Sequence, residues 1–167
     1  MRPPKRLTVQ VDSREKIPFL FPATTSWGEG KNARLVPVHV EVCTLDAGDY
    51  RLAEYPTSCV IERKGTASEL WTNLFSKDSE RQARAFARLS EAADHAYLFL
   101  HAPPHDLIVE STRVPDPAAL VHRMAYCIGR FGLHLVILPT SHSAASTRLA
   151  GTLALNILVG HAEHTDE

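Results

Sequence analysis

The chain carries no excess of either charge: 18 Lys and Arg stand against 19 Asp and Glu in 167 residues, for a formal net charge of −1. That weighs against a dedicated nucleic-acid binder with a broad basic surface. It leaves open an enzyme whose acids gather at a metal while its bases line a groove, because the charge that matters is local. Cysteine is scarce. Cys43, Cys59 and Cys127 are far apart and form no C-x-x-C pair, which indicates neither a disulfide framework nor a zinc knuckle. No apolar run approaches the ~18 residues of a membrane span, and no secretory pattern marks the N-terminus. A cytoplasmic setting is expected, beside the nucleoid during action, or the nucleus in a eukaryote. What remains is 44% hydrophobic and 22% charged, ordinary for one globular domain over 1–167 with loose tails at 1–6 and 162–167.

Strands come first along the chain, then strand and helix alternate. Leu7 to Val11 reads as a strand ending at Asp12. Residues 16–33, with two prolines and two glycines, read as a loop that Phe19 and Phe21 anchor over the sheet or use to grip a substrate. Leu35 to Val42 alternates, and Pro37 predicts an edge position for it. Ser58 to Lys64 is a further strand. Thr66-x-x-Glu69 forms a capping box before a short helix, and a second helix spans Ser79 to about Ala93. Ala96 to Leu100 and Leu133 to Leu138 are buried strands. Between them, Asp116-Pro117 opens a helix that closes before Gly132. Ser141 or Ser143 opens a last apolar helix ending near Gly160. This order is α/β, with a mixed sheet whose early strands are antiparallel and later ones parallel.

The chemistry concentrates in residues 48–64. Glu62 and Lys64 are two apart on a strand, so both side chains leave one face. Asp49, after Gly48, can reach that face through the connection that precedes the strand. Two carboxylates can hold a hard divalent cation, and an ammonium beside them can orient a water. Alone, a Glu-x-Lys pair is as well read as a solvent-facing ladder. A third segment, Val-Asp-Ser-Arg-Glu at residues 11–15, ends the first strand, where ligands gather in open α/β sheets.

Together, Val-Asp-Ser-Arg-Glu, Gly-Asp-Tyr and Ile-Glu-Arg-Lys, in this order, resemble the nuclease domain of the XPF family of structure-specific DNA endonucleases. The resemblance implies a restriction-endonuclease-like fold, a central mixed sheet flanked by helices. It implies cutting of branched, flap or fork DNA with Mg2+ or Mn2+. Asp49 and Glu62 would be metal ligands, with the backbone carbonyl of Arg63 a third. Lys64 would position or help deprotonate the attacking water. Asp12 would be a further carboxylate near the metal, and Arg14 and Arg63 would brace the carboxylates or touch a phosphate.

Just before and along the second helix, Lys77, Arg81, Gln82 and Arg84 are candidate DNA contacts, Arg81 foremost, with Arg88 in the same basic stripe, which reads equally well as a solvated helix face. The family places an acid, commonly Asp, after three residues beyond the Lys. Here four intervene, and the acid is Glu69, which also serves the capping box. The helix-hairpin-helix of such enzymes has no room after residue 161, so junction grip is expected from a partner or from a homodimer or heterodimer. Two alternatives stand beside this: a catalytically silent subunit of the same fold, and a restriction- or resolvase-type nuclease.

Overall fold

The computed structural model describes residues 3–77, 79–139 and 143–165. Strands β1 (Leu7–Asp12), β2 (Thr24–Trp27), β3 (Arg34–Cys43), β4 (Tyr50–Leu52) and β5 (Cys59–Lys64) precede helices α1 (Ala67–Phe75) and α2 (Ser79–Ala92). Then follow β6 (His95–His101), α3 (Pro117–Phe131), β7 (Leu133–Leu138) and α4 (Ala144–Glu163). The strands make one mixed sheet in the order β2-β3-β1-β4-β5-β6-β7. As expected, β4 runs antiparallel to β5, while β5, β6 and β7 are parallel. One early pair departs from expectation: β1 and β3 are parallel, because the chain between them crosses over. That crossover holds β2, where the sequence reading placed only loop. Its Thr-Thr-Ser-Trp has little apolar signal, yet it pairs with Arg34 to Pro37 and buries Thr25 and Trp27. With β2 outside it, β3 is the second strand of the sheet, and Pro37 lies where their pairing ends.

Alternation along the central strands sends side chains into two separate cores. Cys59 and Ile61 of β5 and Phe99 of β6 join Leu7, Val9, Ala154 and Leu158 beneath α4. Val60, Leu98 and Leu100 point the other way, against Leu70, Phe86 and Leu120 of α1, α2 and α3. Full burial of such side chains contributes about 1.5–3 kcal/mol each, so both faces of the sheet are clamped. The strand ends between the clamps are thereby held in fixed relation.

The helix signals act as their chemistry requires. Thr66 Oγ1 accepts the Glu69 N–H at 3.0 Å, and Glu69 Oε2 reaches back past the cap to the Gly65 N–H at 2.8 Å. Asp116 caps α3 through the Ala119 N–H, with Pro117 in its first turn, and Gly132 ends it in the left-handed region at φ 63°. Ser143 caps α4; the rival start, Ser141, lies outside the described residues. Helix α4 runs past Gly160 to Glu163 with Ala162 fully buried, so the C-terminal tail expected from 162 begins inside the helix. Leu149 and Leu153 remain exposed on it.

Phe19 closes over the sheet and is not free to grip a substrate. Its ring stacks on Tyr50 at 4.7 Å, and its N–H donates to the Tyr50 hydroxyl. The next residue is pinned from outside by α4, where Leu20 N–H donates to Thr147 O. A Cβ at Gly151 would run into the Leu20 backbone. Alanine in mid-helix ordinarily gains up to about 1 kcal/mol over glycine. Here the collision outweighs that gain. Gly151→Ala is expected to lose about 1–3 kcal/mol in urea unfolding, the cost of overpacking; equal or greater stability would remove this contact from the account.

Candidate active site

Strand pairing brings the three segments together. Tyr50 pairs with Ile61, so the residue before one and the residue after the other meet at the end of the ladder. These are Asp49 and Glu62. The turn into β4 is tight: Gly48 has φ 71°, and a Cβ there would meet the Val60 side chain, with Ile61 O and Leu89 at 3.1 Å. Only glycine fits that approach without strain. Asp49 N–H then donates to Ile61 O, and Asp49 Oδ2 accepts the Arg63 N–H at 2.7 Å. The carboxylate takes the place of a ladder acceptor where β4 has no further residue to offer.

Lys64 emerges on the same face as Glu62. Its Nζ donates to Glu62 Oε1 at 2.7 Å and stands 3.9 Å from Glu69 Oε1. Burial works against the Lys64 charge, but Glu62, Glu69 and Asp49 outweigh it and raise its pKa. The ammonium is therefore held charged. Asp49 goes the opposite way for a carboxylate: desolvation first, then the Glu62 charge, push its pKa from 3.8 up to about 7. Asp49, Glu62, Lys64 and Glu69 line one cleft of about 460 Å³ with Arg14 and Glu15.

Asp12 stands apart from these groups. Its Oδ1 accepts the Arg14 N–H and Nε–H, and its Oδ2 accepts from Arg14 Nη2 and the Leu45 N–H. Four bonds use both oxygens, and the pair with Arg14 holds the Asp12 pKa down at about 2. No lone pair is left for an ion, so Asp12 fixes the end of β1 and its position against Leu45. Arg63 likewise sends its side chain to the opposite face, where Nη1 meets Glu15 Oε1 at 3.1 Å and the guanidinium lies over Phe19. Arg63 is thus a buried strut between β5 and the turn after β1.

The second-helix candidates do not gather here. Arg84 pairs with Glu80 along the helix, Gln82 is buried, and neither lines the clefts at Asp49. Lys77 and Arg81 do not line them either. The residue of α2 that does is Arg88, beside Ala85, Asp49 and Glu62. The sequence reading saw Arg88 in the stripe but favoured Arg81. The contact of Leu89 with the Gly48 turn brings the C-terminal half of α2 to the site.

Among the described residues, no three His, Cys, Asp or Glu side chains gather to hold a metal ion. The donor set is smaller: Asp49 Oδ1 and Glu62 Oε2 make no hydrogen bond with any described residue. Two hard oxygens in a site that disfavours two negative charges fit a magnesium-like ion, which keeps several waters and takes one or two carboxylates plus phosphate.

Comparison of the fold identifies the architecture. The chain has an XPF-type nuclease fold. XPF from Aeropyrum pernix superposes with a TM-score of 0.56 at 21% identity, over 88% of this chain and 61% of that one. The same protein in complex with DNA gives 0.57 at 21% identity, over 94% of this chain and 65% of that one. This chain thus spans less than two thirds of the XPF chains it matches. No protein-family model and no curated protein sequence matches the chain.

In this XPF-type fold, the Asp49 shift makes stability depend on pH. The folded chain binds the Asp49 proton more tightly than the unfolded chain, so this contribution is full below about pH 4. It is lost as pH rises toward about 7. In EDTA, Asp49→Asn is expected to match the parent near pH 4 and to exceed its melting temperature at pH 8. A parallel pair of stability curves across that range would show that the fold does not raise the Asp49 pKa.

Proposed function

We propose that the protein is a metal-dependent DNA endonuclease acting on branched, flap or fork DNA. The observation that supports this most is the meeting of Asp49, Glu62 and Lys64 in one cleft, with one uncommitted oxygen on each carboxylate. Mg2+ or Mn2+ would be held by Asp49, Glu62 and the Arg63 carbonyl, and would supply a Lewis acid for the phosphate and a more acidic bound water. The protein's own groups do the rest. Asp49 is oriented by the Arg63 N–H, so it presents its second oxygen in a fixed direction. Lys64, kept protonated by Glu62, offers hydrogen bonds to a water or to the phosphate oxygens as negative charge grows there. Glu69 ties Lys64 to the start of α1 and takes the acidic place that the sequence shifts by one residue. Arg14 lies 70% exposed at the cleft and is available for phosphate despite its bond to Asp12.

The intact carboxylate–lysine set favours cutting over a silent binding subunit, which has no chemical need of all three groups. That XPF from Aeropyrum pernix has been captured in complex with DNA favours DNA as the substrate class. A pair of copies meeting over the exposed Leu149 and Leu153 of α4 would add a second surface to grip a junction.

Labelled fork, flap, four-way junction and plain duplex DNA, incubated with magnesium, separate these readings. The parent is expected to nick the fork or flap. Asp49→Ala is expected to reduce that at least ~1,000-fold, and Lys64→Ala about 100-fold or more with little change in KM. Equal cutting by parent and Asp49→Ala would reject the site; preferred cutting of plain duplex would reject the branched substrate.

Millimolar Mg2+ is expected to raise the parent's melting temperature, and Asp49→Asn to abolish that rise. Equal shifts in both proteins would place the ion elsewhere.

A further inference from the structure

Three clefts adjoin one another through shared lining residues, two of them at the carboxylate pair. The central one, about 460 Å³, extends from Asp49 and Glu62 to Thr66 at the start of α1. A second, about 280 Å³, continues from Thr66 and ends at His105 and Arg113, in the connection between β6 and α3. A third, about 180 Å³, shares Arg14, Asp49 and Glu62 with the central cleft and ends at Arg88. The carboxylates thus share a cleft with Arg88, and their central cleft adjoins the Arg113 cleft at Thr66.

The cations at those ends differ from Arg14, Arg63 and Lys64; in the central cleft, Lys16 is likewise exposed and makes no ion pair with any described residue. Arg14, Arg63 and Lys64 each pair with a carboxylate, as does Arg84 further along α2. Arg88 and Arg113 are exposed and make no ion pair with any described residue. Each end also holds one acid, Asp46 beside Arg88 and Asp106 beside Arg113, which limits the positive charge there. The Arg113 end adds the N–H groups of Ala67 and Ser68 in the first turn of α1, which have no acceptor within the helix. These are fixed cationic and N–H donors placed to receive phosphate without reading a base.

We infer that one DNA strand lies along this line of clefts, with the scissile phosphate at the carboxylates, Arg88 holding a phosphate on one side and Arg113 a phosphate on the other. The inference rests on the endonuclease reading of the central cleft and adds to it the path of the strand. Neither arginine touches the reacting atoms; both are positioning residues that set affinity.

Arg88→Ala and Arg113→Ala test it in the full chain, because both side chains are exposed and can be removed without opening a core. With labelled fork DNA and magnesium, each variant is expected to raise KM about 5-fold or more while kcat stays within about twofold. Each is also expected to flatten the dependence of log K on log salt by about one phosphate contact, 0.7–0.9. Fork DNA with neutral methylphosphonate linkages on one side of the cut then assigns the sides. Neutral linkages on one side should erase the Arg88→Ala effect alone, and those on the other side the Arg113→Ala effect alone. A parent that cuts normally, with KM and salt slope unchanged in either variant, would overturn the path and leave the nuclease reading intact. Loss of both effects with the same neutral linkages would overturn it too. A parent that neither binds nor cuts the fork would overturn the nuclease reading itself.

Discussion

One hydrogen bond, from the Arg63 N–H to Asp49 Oδ2, sets the geometry of the candidate site. It fastens the end of β4 to β5 with a side chain where a backbone acceptor has run out. Asp49 is thereby held next to Glu62, in a place with too little water to favour both charges. The arrangement is costly for an ion-free protein at neutral pH. Entry of a cation, as the proposed function requires, would make it favourable.

The surrounding structure engages two of the other acids near that place. Asp12 spends all its acceptor capacity on Arg14 and Leu45, and Glu15 is drawn to Arg63 and the Ile17 N–H. Both acids therefore brace the end of β1, Asp12 with both oxygens and Glu15 through Oε1. Arg63 joins the bracing to the core through Phe19, which stacks on Tyr50, the residue after Asp49. The Gly151 notch presses the strap bearing Phe19 and Leu20 onto the sheet. Packing on the far face of the sheet is thus connected, contact by contact, to the carboxylates on the near one.

Much of this was legible in the sequence because its rules are local. Residues two apart on a strand share a face, which placed Glu62 with Lys64. Thr66-x-x-Glu69 and Asp116-Pro117 name their own helix starts, and the ordered motifs Val-Asp-Ser-Arg-Glu, Gly-Asp-Tyr and Ile-Glu-Arg-Lys carried the resemblance that the fold comparison now matches. What could not be read depended on competition between neighbours in space. Asp12 looked available because the folding-back of Arg14 onto it leaves no periodic trace. Strand β2 stayed hidden because Thr24 to Trp27 gain their place by pairing with β3, not by their own apolarity. Arg88 was passed over for Arg81 because the register of α2 against the Gly48 turn is a tertiary fact.

The central claim is that Asp49 and Glu62 form one cation-binding pair whose mutual repulsion the ion relieves. Calorimetric titration of Mg2+ or Mn2+ into the DNA-free protein near pH 6.5, in buffers of different ionisation enthalpy, tests it most directly. The account predicts binding that releases a sizeable fraction of one proton, with both the heat and the proton lost in Glu62→Gln. Metal binding that releases no proton, or that survives unchanged in Glu62→Gln, would contradict it.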